Sequence, residues 1–144
     1  HVGVKNYHTY MRTVARNLRE GGLFLLHTIG SLQSVVTADP WITRYIFPNS
    51  MLPSMKQIST AAEGVLVMED WHNFGTDYDP TLMSWFHNFD AAWPRLKHDY
   101  DETFYRMWKY YLLSCAGAFR VNAMQLWQMV FSKTGIRGGY TAIR

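Results

Sequence analysis

Gly21-Gly22-Leu23-Phe24-Leu25-Leu26-His27-Thr28-Ile29-Gly30 sets two glycines ahead of an almost unbroken apolar run and closes that run with a third. Apolar side chains at consecutive positions suit a strand covered on both faces, as in a parallel sheet. Upstream, Tyr7, Tyr10, Met11, Val14, Ala15 and Leu18 recur at the spacing of one helix face, which predicts a helix over residues 6–19. Gly21-Gly22 provides its left-handed stop. Helix, glycine turn and buried strand together are the second half of a βαβ unit.

The pattern continues outward from that unit. Asp39-Pro40 has the form of a helix start, with the aspartate as cap and the proline at the first helical position. Pro48 and Pro53 punctuate the apolar stretch that follows, and a helix is expected over residues 56–62, ended by Gly64. Residues 65–70 read as a second strand. Asp79-Pro80 repeats the cap-plus-proline form and predicts a helix running towards Trp93, with Pro94 ending or kinking it. A longer helix is expected from about Asp101 to Phe119, and a third strand from Met124 to Phe131. A sheet of only these strands looks unfinished, and its further neighbours are expected ahead of His1.

Composition narrows the function classes. The 144 residues suit one domain, and 48% hydrophobic against 17% charged residues favours a packed core over disorder. A net charge of +3 is carried by scattered lysines and arginines with no dense basic run, so nucleic acid is not an expected partner. Six Trp, nine Tyr and eight Phe exceed what a core of this size requires, and aromatics in excess line apolar ligand sites or sit at membrane interfaces. No apolar run is long enough to span a membrane. Cys115 is the only cysteine and has no internal partner, which favours a reducing compartment. Asp70, His72, Asp77 and Asp79 match no recognised metal-ligand spacing, so no metal is expected.

Several longer stretches carry a resemblance. They are residues 22–30, Asp39-Pro40-Trp41-Ile42 with Tyr45-Ile46-Phe47-Pro48-Asn49, and Met68-Glu69-Asp70-Trp71-His72-Asn73-Phe74-Gly75 with Asp77-Tyr78-Asp79. Further on come Cys115-Ala116-Gly117-Ala118-Phe119-Arg120 and Gln125-Leu126-Trp127-Gln128. In this order they resemble the C-terminal region of cyclopropane-fatty-acyl-phospholipid synthases and, more loosely, mycolic acid cyclopropane synthases. The resemblance implies an α/β fold: the C-terminal portion of a class I AdoMet-dependent methyltransferase (Rossmann-like) domain, comprising strands five to seven with flanking and cap helices. The seventh strand would insert antiparallel between the fifth and sixth. Residues 1–144 would then be part of a single catalytic domain whose AdoMet-binding N-terminal half is absent.

The same resemblance implies the chemistry. The methyl group of S-adenosyl-L-methionine passes to a cis double bond of a phospholipid acyl chain, and loss of a proton closes the ring, with bicarbonate as general base. Carried over by motif, the bicarbonate ligands are His27, Ile29 through its backbone, and Tyr78; a glutamate expected just before His1 and an upstream cysteine would complete the set. Without the resemblance, His27 reads as a core histidine and Tyr78 as a packing or surface tyrosine. The implied partners are unsaturated phospholipid and a membrane surface, with cytoplasmic placement peripheral to the inner membrane. A homodimer, or pairing with the missing half, is expected. A lipid-docking piece without catalysis and a plain AdoMet-dependent methyltransferase are the alternatives.

Overall fold

A computed structural model describes residues 2–143; His1 and Arg144, the ends of the expected domain, lie outside the described residues. The helices are α1 (Tyr7–Asn17), α2 (Pro40–Tyr45), α3 (Met55–Ala62), α4 (Tyr78–Leu96) and α5 (Glu102–Arg120), and the strands are β1 (Leu23–Ser31), β2 (Val67–Asn73) and β3 (Met124–Ser132). The chain forms two compact units. One comprises the sequence up to Asn73 together with that from Leu126 onward, and the other is Phe74–Gln125.

The first unit is the sheet with its helices. Strand order is β1-β3-β2, so the last strand of the sequence lies between the two earlier ones. It pairs antiparallel with β2, from Val67 opposite Ser132 to Asn73 opposite Trp127. This is the arrangement implied for strands five, seven and six. A register shift between Met68 and Asp70 leaves Glu69 as a bulge residue. Its carboxylate accepts hydrogen bonds from the Ser132 hydroxyl and the Ile136 amide, tying the chain beyond β3 back to the sheet. The core gathers Met11 of α1, Ile58, Ala61 and Ala62 of α3, and Trp127, Met129 and Phe131 of β3. Being central, β3 is the most buried strand.

β1 departs from the expectation of a strand covered on both faces. Its burial alternates: Phe24 and Leu26 pack on the core, whereas Leu23 and Leu25 are 47% and 54% exposed. Helices α1 and α3 of this unit cover one face, and the other is bare over the start of β1. The turn before it is as expected. Gly21 has φ 69°, and the Gly22 amide donates to the Arg19 carbonyl.

Local signals explain the helix starts, with one correction. The Asp39 side chain accepts from the amides of Trp41 and Ile42, with Pro40 inside the first turn. α3 begins one residue before the expected start because Ser54 and Gln57 form a reciprocal capping box, a spacing plainly present in the sequence. β2 begins at Val67 rather than residue 65, because the amides of Val65 and Leu66 donate to the Ala62 carbonyl in the turn after α3. The correction concerns α4. It starts at Tyr78, so Asp79 is no cap, and Pro80 sits in the first turn where a missing N–H costs nothing.

The second unit is the α4–α5 pair. Helix α4 runs through Pro94 to Leu96, so the proline does not end it. An interior proline costs about 3 kcal/mol. Contacts with α5 in the turn ahead of the proline offset this: Phe89 stacks on Tyr105 at 5.6 Å, Trp93 lies 4.9 Å from the same ring, and the Tyr105 hydroxyl donates to Asp90. Asp101 caps α5 through the Phe104 amide, and Asn122, at φ 56°, turns the chain out of its far end.

Gly30 provides the sharpest test of this packing. A Cβ there would lie under 3.0 Å from three carbons of the Trp127 ring. Gly30→Ala is expected to destabilise the fold by about 2 kcal/mol or more. Gly117→Ala, in α5 with nothing within 4 Å of the added carbon, is expected to stabilise it by about 0.5–1 kcal/mol. Urea midpoints of the two variants should move in opposite directions.

Candidate functional site

The C-terminal end of β1 is fixed by what lies against it. Gly30 is buried beneath the indole of Trp127, itself only 1% exposed, and Trp127 meets Trp71 edge-on at 5.0 Å. This contact sets the level of the residues just before Gly30. His27 is exposed on β1, with Nδ1 3.4 Å from Nε2 of Gln128 on β3. Ile29 is half-buried, and its carbonyl accepts from the Thr28 hydroxyl. Strand ends of this kind are where open α/β sheets place their ligands.

Beyond β1 the chain is tied to the start of α3. The Ser31 amide donates to the Pro53 carbonyl at 2.8 Å, and the hydroxyls of Ser34 and Ser54 share a hydrogen bond of 2.7 Å. Gln57 donates to the Val35 carbonyl. The loop leaving the strand is thereby held at several points despite its exposure.

Tyr78 belongs to the second unit, at the first position of α4. Its ring packs edge-on against Phe119 at 5.1 Å and Trp85 at 5.8 Å. The neighbouring Asp79 accepts two hydrogen bonds from Arg120, at 2.7 and 2.9 Å, which joins the start of α4 to the end of α5. Arg120 holds the Asp79 carboxyl below its ordinary range, chiefly through these hydrogen bonds. Burial, and secondarily Cys115, raises the Tyr78 pKa above the ordinary phenol value. Tyr111 is pushed up to about 12, by burial first and then by Cys115 and Tyr78. The phenols and the thiol are therefore neutral donors at physiological pH.

Thus His27 and Ile29 share one strand end in the first unit, and Tyr78 lies in the second. Gln128 beside His27, and the Asp79–Arg120 pair beside Tyr78, went unassigned in the reading of the residues. Gln128 falls inside the Gln125-Leu126-Trp127-Gln128 motif, so its position carried a signal. The ion pair joins residues 41 positions apart, and no local pattern announces it. Among the described residues, no group of three or more His, Cys, Asp or Glu side chains is placed to hold a metal ion.

Cys115 offers a direct check on this buried environment. Burial raises its pKa from 9.0 to about 11. Its reaction with a thiol reagent should be slow near neutral pH and accelerate only as pH rises past 9 towards about 11. The sign for stability follows from the same shift. The unfolded chain gives up the proton first, so the thiol's contribution is complete below pH 9.0 and is lost as pH rises through about 11. Denaturant midpoints measured against pH should be flat below that window and fall across it.

The sequence pattern of the family described as Mycolic acid cyclopropane synthetase matches residues 1–129. The chain is 56% identical over all 144 residues to the cyclopropane-fatty-acyl-phospholipid synthase of Escherichia coli (strain K12), and spans 37% of that protein's length. Among solved structures, the cyclopropane synthase MmaA2 from Mycobacterium tuberculosis aligns with a TM-score of 0.83 at 21% identity, over 92% of this chain and 52% of that one. Mycolic acid cyclopropane synthase CmaA1, complexed with SAH and CTAB, aligns with a TM-score of 0.81 at 24% identity, over the same shares. The structural likenesses show the methyltransferase fold, and the family pattern matched over residues 1–129 shows that the chain belongs to the mycolic acid cyclopropane synthetase family.

Proposed function

We propose that the protein carrying this chain forms cyclopropane rings on cis double bonds of phospholipid acyl chains, with S-adenosyl-L-methionine as methyl donor and bicarbonate as base. The observation that carries the reading is the 56% identity, along the whole chain, to a cyclopropane-fatty-acyl-phospholipid synthase. The complex of CmaA1 with SAH and CTAB supports it, since that relative binds the demethylated donor and a long-chain amphiphile.

Donor chemistry supports the roles of the three site residues. Bicarbonate presents oxygen acceptors and calls for N–H and O–H donors. The Tyr78 phenol keeps its proton because burial raises its pKa, and so can donate. The His27 imidazole and the Ile29 main chain are the other two contacts. Gln128 beside His27 orients the ring. AdoMet is a different case: among the described residues, no glycine-rich loop joins the end of a strand to the start of a helix, so its methionine and ribose contacts fall to other parts of the catalytic domain. The bare face of β1, with Leu23 and Leu25, is the natural seat of that remainder.

When bound, AdoMet supplies an electrophilic methyl group and bicarbonate accepts the proton lost as the ring closes. This chain's residues hold the anion in place and exclude water. An alkene is a weak nucleophile, so orientation and dryness dominate the barrier. The aromatics of residues 41–48 and of the long helices would shield the acyl chain, their faces favouring positive charge developing on carbon. Tyr45 and Phe47 are exposed, and the Arg44 guanidinium lies 5.3 Å from the Tyr45 ring centroid. Aromatic rings beside a cation suit the headgroup level of an anionic membrane, which supports a peripheral position for the protein at the cytoplasmic side of the inner membrane. Among the described residues, no helix is long and apolar enough to cross a membrane.

Incubating the intact protein with AdoMet, bicarbonate and vesicles of cis-unsaturated phospholipid should convert acyl chains to products one CH2 heavier with no double bond. Unchanged chains, or methyl-branched products alone, would overturn the reading. His27→Ala and Tyr78→Phe should each lower kcat by about 100-fold or more, with little change in the KM for lipid. Isothermal titration of AdoMet into the 144-residue chain alone should show no binding, with or without bicarbonate. Micromolar affinity there would refute the assignment of the donor site to other parts of the domain.

A further inference from the structure

A pocket of about 420 Å³ in the first unit lies away from His27 and Ile29, neither of which lines it. Lys5, Tyr7, His8, Ser34, Lys56 and Thr60 give it its polar character, and no acidic residue is among its lining. Neither Lys5 nor Lys56 forms an ion pair among the described residues. Two like charges facing one cavity without a counter-ion repel each other, and an anion between them relieves that repulsion.

The surroundings reinforce the sign of the charge. His8 belongs to the first turn of α1 and Lys56 to the first turn of α3, and neither first turn contains an acidic residue. Helix starts ordinarily favour negative side chains there. The other polar groups are the hydroxyls of Tyr7, Ser34 and Thr60 and the amide of Gln57. Burial raises the Tyr7 pKa, so its phenol stays protonated. Ser34 is held by its hydrogen bond to Ser54, and Gln57 of the same helix clamps the loop at Val35. The Ser34 side of the pocket is therefore tied to α3 before any ligand arrives. The loop bearing Ser34 is the direct continuation of β1, the strand of His27 and Ile29.

We propose that this pocket is a phosphate site that takes the phosphodiester of the phospholipid substrate, with Lys5 and Lys56 as its charged contacts and Ser34 and Thr60 as hydroxyl donors. The lipid source rests on the activity proposed above; the phosphate chemistry does not. The headgroup would bind at the rim while the acyl chain continues towards the site on β1. The pocket's size suits a headgroup; much of its lining is apolar, and its charge comes from the two lysines.

The test uses the intact protein with two probes that need no turnover. Binding of sn-glycerol 3-phosphate is measured by calorimetry, and binding of dioleoylphosphatidylcholine vesicles by sedimentation, the zwitterionic lipid minimising attraction to net surface charge. Lys5→Gln/Lys56→Gln should weaken glycerol 3-phosphate by about ten-fold or more. Lys97→Gln/Lys133→Gln, which removes the same charge elsewhere, should leave it unchanged, and Lys5→Arg/Lys56→Arg should restore it. The single variants Lys5→Gln and Lys56→Gln, checked by circular dichroism, read the two contacts separately. A parallel loss of vesicle binding assigns the site to the lipid headgroup. A loss confined to glycerol 3-phosphate keeps the phosphate site and assigns it to a free phosphate compound. Equal affinity in wild type and Lys5→Gln/Lys56→Gln, or an equal loss in the control pair, overturns the proposal. Should acyl chains go unmodified while glycerol 3-phosphate still follows the two lysines, the proposed activity fails and the pocket stands.

Discussion

The contact between the Gly30 backbone and the Trp127 indole is the constraint on which the first unit depends. Trp127 lies on the central strand and belongs to the same buried cluster as Met11, Ile58 and Phe131. Any side chain at position 30 would meet its ring. One close approach thus sets the height of β1 against β3, the orientation of Trp71 beyond it, and the point at which the chain leaves the sheet to reach α3. His27 and Ile29 inherit their positions from this contact, because both lie within three residues of Gly30 on a strand whose end cannot slide.

The second unit is built on another principle. Its helices meet through aromatic rings, with Phe89 and Trp93 of α4 packed on Phe104 and Tyr105 of α5. Flat side chains with few rotatable bonds lose little entropy on packing. At the far end of the pair, burial raises the pKa of Tyr78, Tyr111 and Cys115, and the neighbouring thiol adds to the shift of both tyrosines. Arg120 and Asp79 hold the helix ends together beside them. Neutral donors and a fixed helix start are what a tyrosine needs to act as a hydrogen-bond donor rather than as a titrating group.

Much of this was legible in the sequence, and the failures have identifiable causes. The glycine turn, the Asp39 cap and the Asp101 helix start follow from local chemistry and occur as expected. The helix through Pro94 does not, because rings 12 to 16 residues further along, at Tyr105, decide it. Asp79 looked like a cap from its neighbour Pro80, but its partner is Arg120. The apolar run of β1 suggested cover on both faces, and the packed helices cover only one. Gly30 read as the end of that run; its reason for being glycine lies at Trp127, nearly a hundred positions away. Site residues were named through long motifs rather than through any pattern of their own, since a histidine in an apolar strand and a tyrosine in a polar turn are ordinary on their face.

The pairing of Asn73 with Trp127 bears on how such a chain folds. The chain leaves the sheet after Asn73 and rejoins it in β3, where Trp127 lies opposite Asn73 on the adjacent strand. Until the ends of the intervening segment meet, β3 cannot take its central place, and the entropy of closing so long a loop opposes the pairing. The α4–α5 pair is joined by a short connection and rests on local contacts, so it can form early and draw those ends together. The sheet is then completed last, from its middle, by the strand that arrives once the helical insert has closed the gap.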